Sequence, residues 1–357
     1  EKECRQAGED DEEQTETDLA QAQEHLSINT LFKELVVQRS RRYVRESQKI
    51  QSNNVALFPD KKKPQVADYS VKKTYGNLLD IMEKAFDRET PLFELSLYCP
   101  MGYLLNEPTV KTNNAEENIK RAFDKERQKQ VVGLIRIQFL KRFESSIEAF
   151  TRSCDRLLLK MLSFIARHSF DESEKERLKE WQRNNQKLID IVKSRQQEFS
   201  SDDEQEEDLI TPEMIEAVEV LSPDEYDLDT IVGNTYKDLD QLKLLLNEVS
   251  GFNSDQDDKL KSLIKLLKTD PVMREHKVLI FTEYAETARY LKKHLEKAGI
   301  LGLESIDGGT TKDRSDVVQR FAPYYNGHSS GELSENDRKE IRVLISTDVL
   351  SEGLNLQ

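Results

Sequence analysis

Cysteine is scarce. Cys4, Cys99 and Cys154 are the only three in 357 residues, and their wide spacing fits neither a disulfide framework nor a set of zinc ligands. They are read as reduced, inert thiols of a chain in a reducing compartment. Tryptophan is scarcer still, with Trp181 alone, and it is expected to be a packing anchor. No apolar run is long enough to span a bilayer and no signal peptide opens the chain, so a soluble, cytoplasmic protein is expected. No internal repeat is apparent, which removes solenoids and propellers from consideration.

What the chain does have is charge. Charged residues make up 34% and hydrophobic residues 36%, a balance that suits helices with long solvated faces. At 357 residues the expectation is two or three modules rather than one core. The formal net charge of −15 argues at first sight against nucleic acid. Much of the acid, however, is concentrated in residues 9–16 and 201–208, and binding depends on local patches rather than on the total.

Residues 1–27 form an acidic lead-in with little to bury, expected to be disordered. Residues 28–46 turn apolar and then basic, with Leu31, Leu35 and Val36 on one helical face and Arg39, Arg41, Arg42 and Arg45 after them. The arginines are either a solvated face or a phosphate-contacting set, since guanidinium forks match phosphate oxygens. A turn-rich connector at 58–64 leads to residues 65–71, which alternate like a short strand. Helices are expected over 73–90, 115–170, 172–198 and 229–249. In the second of these, Leu134, Ile137, Phe139, Leu140 and Phe143 form a core-seeking stripe, while Arg136, Lys141 and Arg142 fall off it. Those three line either solvent or a nucleic-acid path. Residues 200–208 read as an exposed acidic loop, and Thr211-Pro212-Glu213 as a helix start with proline at the first position.

The last hundred residues change character. A helix over 257–267 precedes the apolar strand 278–281, a crossover helix at 286–298, a short strand ending in Ser305-Ile306-Asp307-Gly308-Gly309-Thr310, a second helix at 312–321, and a third strand at 341–346. Strands alternating with helices predict a parallel sheet, whose ligands meet the loops at the carboxyl ends of the strands.

These residues resemble the second RecA-like domain of superfamily-two helicases, in the bacterial type of the Swi/Snf-like DNA translocase branch. Residues 278–284 resemble motif IV of that family. Asp307-Gly308-Gly309-Thr310 with Arg314, Arg320 and Phe321 is similar to the motif that follows it. Ser346-Thr347-Asp348-Val349-Leu350-Ser351-Glu352-Gly353-Leu354-Asn355-Leu356-Gln357 is a close match to motif V. Upstream, Val37-Gln38-Arg39-Ser40-Arg41-Arg42 resembles the passage out of the first RecA-like domain, with Gln-Arg-Ser where the family has Arg-Arg-Thr. Lys141-Arg142-Phe143-Glu144-Ser145-Ser146, in the place of the family's helical insertions, resembles a run found in bacterial members.

The resemblance implies a RecA-like parallel sheet with flanking helices over 257–357, preceded by the end of a first lobe at 28–72 and a large, mostly α-helical insertion over 73–256. It implies an ATP-dependent translocase or helicase on double-stranded DNA. The backbone contacts fall to Thr282, Gly308, Gly309, Thr310, Arg314, Thr347, Arg39 and Arg41, and the coupling to nucleotide falls to Glu352, Gly353 and Asn355. Hydroxyls and main-chain N–H groups suit such sequence-independent phosphate contacts. ATP and Mg2+ are the implied cofactors. No Gly-x-x-x-x-Gly-Lys-Ser/Thr loop, no Asp-Glu-x-His motif and no final arginine-finger motif is found, so the chain is expected to be part of a longer protein and inactive by itself. Two other readings stand beside this one. The helical region 91–250 is a protein-binding module on a non-catalytic RecA-like scaffold, or the parent acts on RNA.

Overall fold

The computed structural model describes residues 62–86, 91, 93–105, 115–197, 216–308, 313–327, 329, 331, 333 and 338–348. The chain divides into two compact units, Glu1–Val66 and Ala67–Gln357. All the described helices and strands lie in the second. The lead-in, the arginines at 39–45, the acidic run at 200–208 and Thr211-Pro212-Glu213 fall outside the described residues.

Residues 65–70, expected as a strand, have no regular structure and run directly into α1 (Val71–Tyr75). Among the described residues no strand lies against them, and the segment is instead tied down through its end. Ser70 caps α1 by accepting from Lys73 N, and its own N–H donates to Asp258 Oδ2 at 2.7 Å. Asp258 N returns a bond to Thr74 Oγ1 at 3.1 Å. Gly76, at φ +52°, separates α1 from α2 (Asn77–Ala85), where a residue with a side chain would be strained.

The helix expected over 115–170 is two, α3 (Ala115–Ser145) and α4 (Ile147–Arg167), broken at Ser146. Ser146 adopts an extended conformation, φ −165° and ψ 157°, and its hydroxyl accepts from Ala149 N, so one residue ends α3 and caps α4. α5 (Glu172–Asn184) opens with a full capping box between Asp171 and Glu174. It is followed by α6 (Gln186–Gln197) and then α7 (Leu228–Ser250).

The core of this helical layer forms around α4, with Phe150, Leu158, Met161 and Leu162 fully buried, and around Leu239, Leu242 and Leu246 of α7. The expected stripe on α3 is divided. Phe139 and Phe143 are buried, whereas Leu134, Ile137 and Leu140 are 58%, 51% and 40% exposed. The physical reason is that α3 packs on α4 through one face only, and these three residues lie away from it. Trp181 is half-buried against the core, with its indole N–H donating to Asp240 at 3.2 Å. Cys154 is fully buried and Cys99 partly so, both free.

Beyond α7, α8 (Asp258–Thr269) and the short α9 (Pro271–Glu275) lead into the sheet. β1 (Val278–Phe281), α10 (Ala285–Lys297), β2 (Leu303–Ile306), α11 (Arg314–Phe321) and β3 (Val343–Ser346) alternate as expected. β3 lies between the other two and pairs parallel with both, the described sheet having the order β1-β3-β2. Val343, Leu344 and Ile345 are all fully buried, as befits a central parallel strand covered on both faces. Val343 and Ile345 face Leu267, Ala288 and Leu295 on one side, and Leu344 faces Val317, Val318 and Phe321 on the other. Gly302 precedes β2 at φ +64°, where an added Cβ would lie 3.1 Å from Arg342 N. Its carbonyl accepts from both Arg342 and Val343 N–H groups, so glycine is what lets β2 and β3 meet.

Phe150 has no exposed surface and meets Phe139 and Phe143 edge-on, at 6.2 and 5.2 Å between ring centroids. Phe150→Ala is expected to lower the unfolding free energy by about 3–5 kcal/mol, read from urea denaturation. A loss below about 1 kcal/mol would contradict this core.

Candidate nucleic-acid interface

The register of the sheet brings the sequence-predicted loops together. Phe281, Ser346 and Ile306 lie in one row across the three strands. The next residue of each strand is Thr282, Thr347 and Asp307 respectively, and the ladder runs on into them. Thr282 N donates to Ser346 O at 3.0 Å and Thr347 N to Ile306 O at 3.2 Å. Gly308 follows Asp307 and is exposed. Both crossover helices also begin at this end, α10 after Tyr284 and α11 at Arg314, so their partially positive N-termini point the same way as the loops.

Of the predicted DNA contacts, Thr282, Gly308 and Thr347 are thus neighbours along one edge of the sheet. Arg314 stands exposed in the first turn of α11, capped by Asp313, whose carboxylate accepts from Ser315 N. Thr347 is 8% exposed and its carbonyl accepts from the Ser346 hydroxyl at 2.6 Å. Arg320 belongs to the scaffold: its Nε donates to Lys339 O at 2.8 Å and its Nη1 lies 3.4 Å from Asp316. Gly309, Thr310, Arg39, Arg41, Glu352, Gly353 and Asn355 lie outside the described residues.

Within the motif Asp307-Gly308-Gly309-Thr310, Asp307 is the residue for which the resemblance implies no contact. It is 4% exposed, and Arg289 of α10 donates from Nε to its Oδ2 at 3.2 Å. The turn after β2 is therefore anchored by α10.

A larger correction concerns α3. Arg136 and Arg142, open between solvent and a nucleic-acid path, serve neither. Arg136 Nη2 donates to Phe93 O at 3.1 Å. Arg142 stacks on the Tyr284 ring, 4.5 Å from its centroid, and lies 3.4 Å from Glu286 in the first turn of α10. Arg156 of α4 reaches the same Glu286 oxygen. Beside this pair, Thr287 meets Ser145 Oγ at 2.8 Å and Ser146 Oγ at 2.7 Å. Lys259 Nζ of α8 donates to the carbonyls of Glu144 and Ser145, and Tyr75 OH to that of Phe143, satisfying the free carboxyl end of α3. The run Lys141-Arg142-Phe143-Glu144-Ser145-Ser146 is thus a clasp between the helical layer and the sheet domain. The resemblance of this run to the bacterial members was the one signal in the sequence that marked it, and nothing there gave its partners Glu286 and Thr287.

Residues 258–357 match the family model for the helicase conserved C-terminal domain, a span that opens at the first residue of α8. That part of the chain is similar to a helicase C-terminal domain, and its described residues form helices around a small parallel sheet. No curated protein and no solved structure matches the chain. Among the described residues, no helix is long and apolar enough to cross a membrane, and no group of three or more His, Cys, Asp or Glu side chains is placed to hold a metal.

Burial raises the Glu286 carboxyl, but a backbone hydrogen bond and the Arg156 and Arg142 guanidinium groups outweigh it, and the net direction is down from 4.5. A carboxylate depressed in the folded state binds fewer protons there than in the unfolded chain. Its stabilisation is present above pH 4.5 and is lost as pH falls through the folded value. Glu286→Gln is expected to cost about 1–3 kcal/mol at pH 7, and to flatten part of the loss of stability below pH 4.5. Denaturant titrations of both proteins between pH 7 and 3 check this. Parallel curves would show that Glu286 carries no charge linkage.

Proposed function

We propose that the chain is part of an ATP-dependent double-stranded-DNA translocase or helicase of the Swi/Snf-like superfamily-two branch. In this reading it supplies backbone contacts and nucleotide coupling rather than hydrolysis. The observation that carries the proposal is the row formed by Thr282, Thr347 and Asp307-Gly308 at the carboxyl ends of three adjacent parallel strands. Threonine hydroxyls and the main chain at Gly308 offer donors with no base-reading groups among them. Such a set grips phosphates without regard to sequence, which a tracking protein requires. Arg314 adds a guanidinium at the start of α11, and Gly309, Thr310, Arg39 and Arg41 are assigned backbone contacts of their own in this proposal. ATP and Mg2+ belong mainly to parts outside this chain, with Glu352, Gly353 and Asn355 as its contribution to coupling.

The test is salt-dependent binding of a short duplex. Arg314→Ala is expected to weaken binding about tenfold and to reduce the salt slope by about one. Thr347→Ala should weaken it less and leave the slope unchanged, because a hydroxyl releases no counterion. Absence of duplex binding at low salt would sink the proposal.

A second reading, a protein-binding module on a non-catalytic scaffold, is favoured by one observation. Phe123, Leu134 and Ile137 of α3 are 68%, 58% and 51% exposed, on a helix whose buried side chains among those described are Val132, Phe139 and Phe143. A chain that bound a protein through α3 and no duplex would decide for it.

A further inference from the structure

A cavity of about 470 Å3 lies between the helical layer and α10, on the side of that helix away from the sheet. Its volume falls in the range of small-ligand sites. The charge around it is the reverse of the chain as a whole. Arg195, Arg289, Lys293 and His294 line it, against the single carboxylate of Glu148. That carboxylate is already engaged, accepting from Arg152 Nε at 3.0 Å.

The arginines are held rather than loose. Arg195 donates from Nη2 to the buried Asp155 at 2.9 Å, and its Nε is buried without a hydrogen-bond partner. Arg289 is fixed by Asp307, as described above. Burial and the neighbouring Lys293 and Lys297 ammonium groups push the His294 imidazole down from 6.5, toward its neutral form, so the positive charge of the wall is that of Arg195, Arg289 and Lys293. The rest of the wall is aromatic and apolar. The Tyr290 ring lies 4.4 Å from that of His294, with its hydroxyl pinned to Asp257 Oδ2 at 2.9 Å, and Phe252 stands nearby.

We propose that this cavity binds a mononucleotide, a small molecule with one aromatic base and one or two phosphates. Preset guanidinium and ammonium groups suit the phosphates, and the part-exposed His294 ring, backed by the buried Tyr290 ring, offers the base a stacking face. A duplex is far too wide for 470 Å3. The site has a line to the DNA edge, because Arg289 forms its wall and also holds Asp307 beside Gly308. A phosphate that competes for Arg289 would loosen that turn.

The experiment is calorimetry of the whole chain with ADP, pyrophosphate and adenosine, together with amide hydrogen exchange. ADP is expected to bind, pyrophosphate to compete with it, and adenosine to bind weakly. Lys293 is exposed, so Lys293→Glu should fold and is expected to weaken ADP roughly tenfold or more. Lys179→Glu, at an exposed position of α5 that does not line the cavity, should leave ADP binding unchanged. ADP should slow exchange over residues 289–294. No ADP binding at millimolar concentration, unchanged affinity in Lys293→Glu, or protection confined to residues 349–357 would each overturn the proposal. Should Lys293→Glu fail to fold, the exchange pattern of the unaltered chain decides. Competition by an acidic peptide with no effect of ADP would assign the cavity to a protein tail instead. Duplex binding is measured separately, so failure here leaves the translocase reading untouched.

Discussion

The structure depends on one joint, the corner between α3 and α4 seated on the first turn of α10. Ser146 makes the corner by leaving helical geometry and capping α4. Its hydroxyl and that of Ser145 then close on Thr287, which is 5% exposed. Glu286, 8% exposed, carries two guanidinium groups from the two helices that meet there. A buried carboxylate without partners would be costly, so the corner and the helix specify each other. Because α10 follows β1 after only three residues, seating α10 also sets the path of Thr282-Glu283-Tyr284, the first of the strand-end loops.

The sheet domain was legible because its signals are local. Val278–Phe281 is observed as expected, and the two crossover helices begin and end within two residues of the expected bounds. Short apolar runs ended by small polar residues leave little choice of element, and parallel pairing then fixes the row of Thr282, Thr347 and Asp307. The helical layer was legible as helices but not in its breaks. Nothing in the composition around Ser146 distinguishes a corner from a continuing helix, since serine is tolerated mid-helix and its capping role appears only when α4 turns away. Residues 65–70 failed for the opposite reason. Their alternation is real, yet a strand needs a partner, and here the N–H of Ser70 goes to Asp258 instead.

The stripe on α3 and its arginines share one lesson. Periodicity gave Leu134, Ile137, Phe139, Leu140 and Phe143 equal weight, although a helix packed on one neighbour can bury only one arc. Phe139 and Phe143 won that arc and the others remain outside. Arg136 and Arg142 stay open in the sequence between a solvated face and a nucleic-acid path, because neither has its partner nearby in the chain. Their partners, a carbonyl at Phe93 and a carboxylate at Glu286, lie 43 and 144 residues away. Contacts that distant leave no trace in local spacing.

The thirteen residues of α10 explain why the helical layer and the strand ends should respond together. Glu286 and Thr287 hold the clasp, Arg289 holds Asp307, Tyr290 holds Asp257, and Lys292 pairs with Glu304 of β2 at 2.7 Å. Each contact is modest alone, and several are half-exposed pairs worth well under about 1 kcal/mol. Their arrangement matters more than their sum, because they leave from one rigid helix toward different elements. A shift of α10 cannot break one without straining the others. Interdigitated interiors accommodate such strain by switching between discrete packings rather than by bending. The clasp at Glu286 and Thr287 and the Asp307-Gly308 turn are therefore tied to one and the same helix.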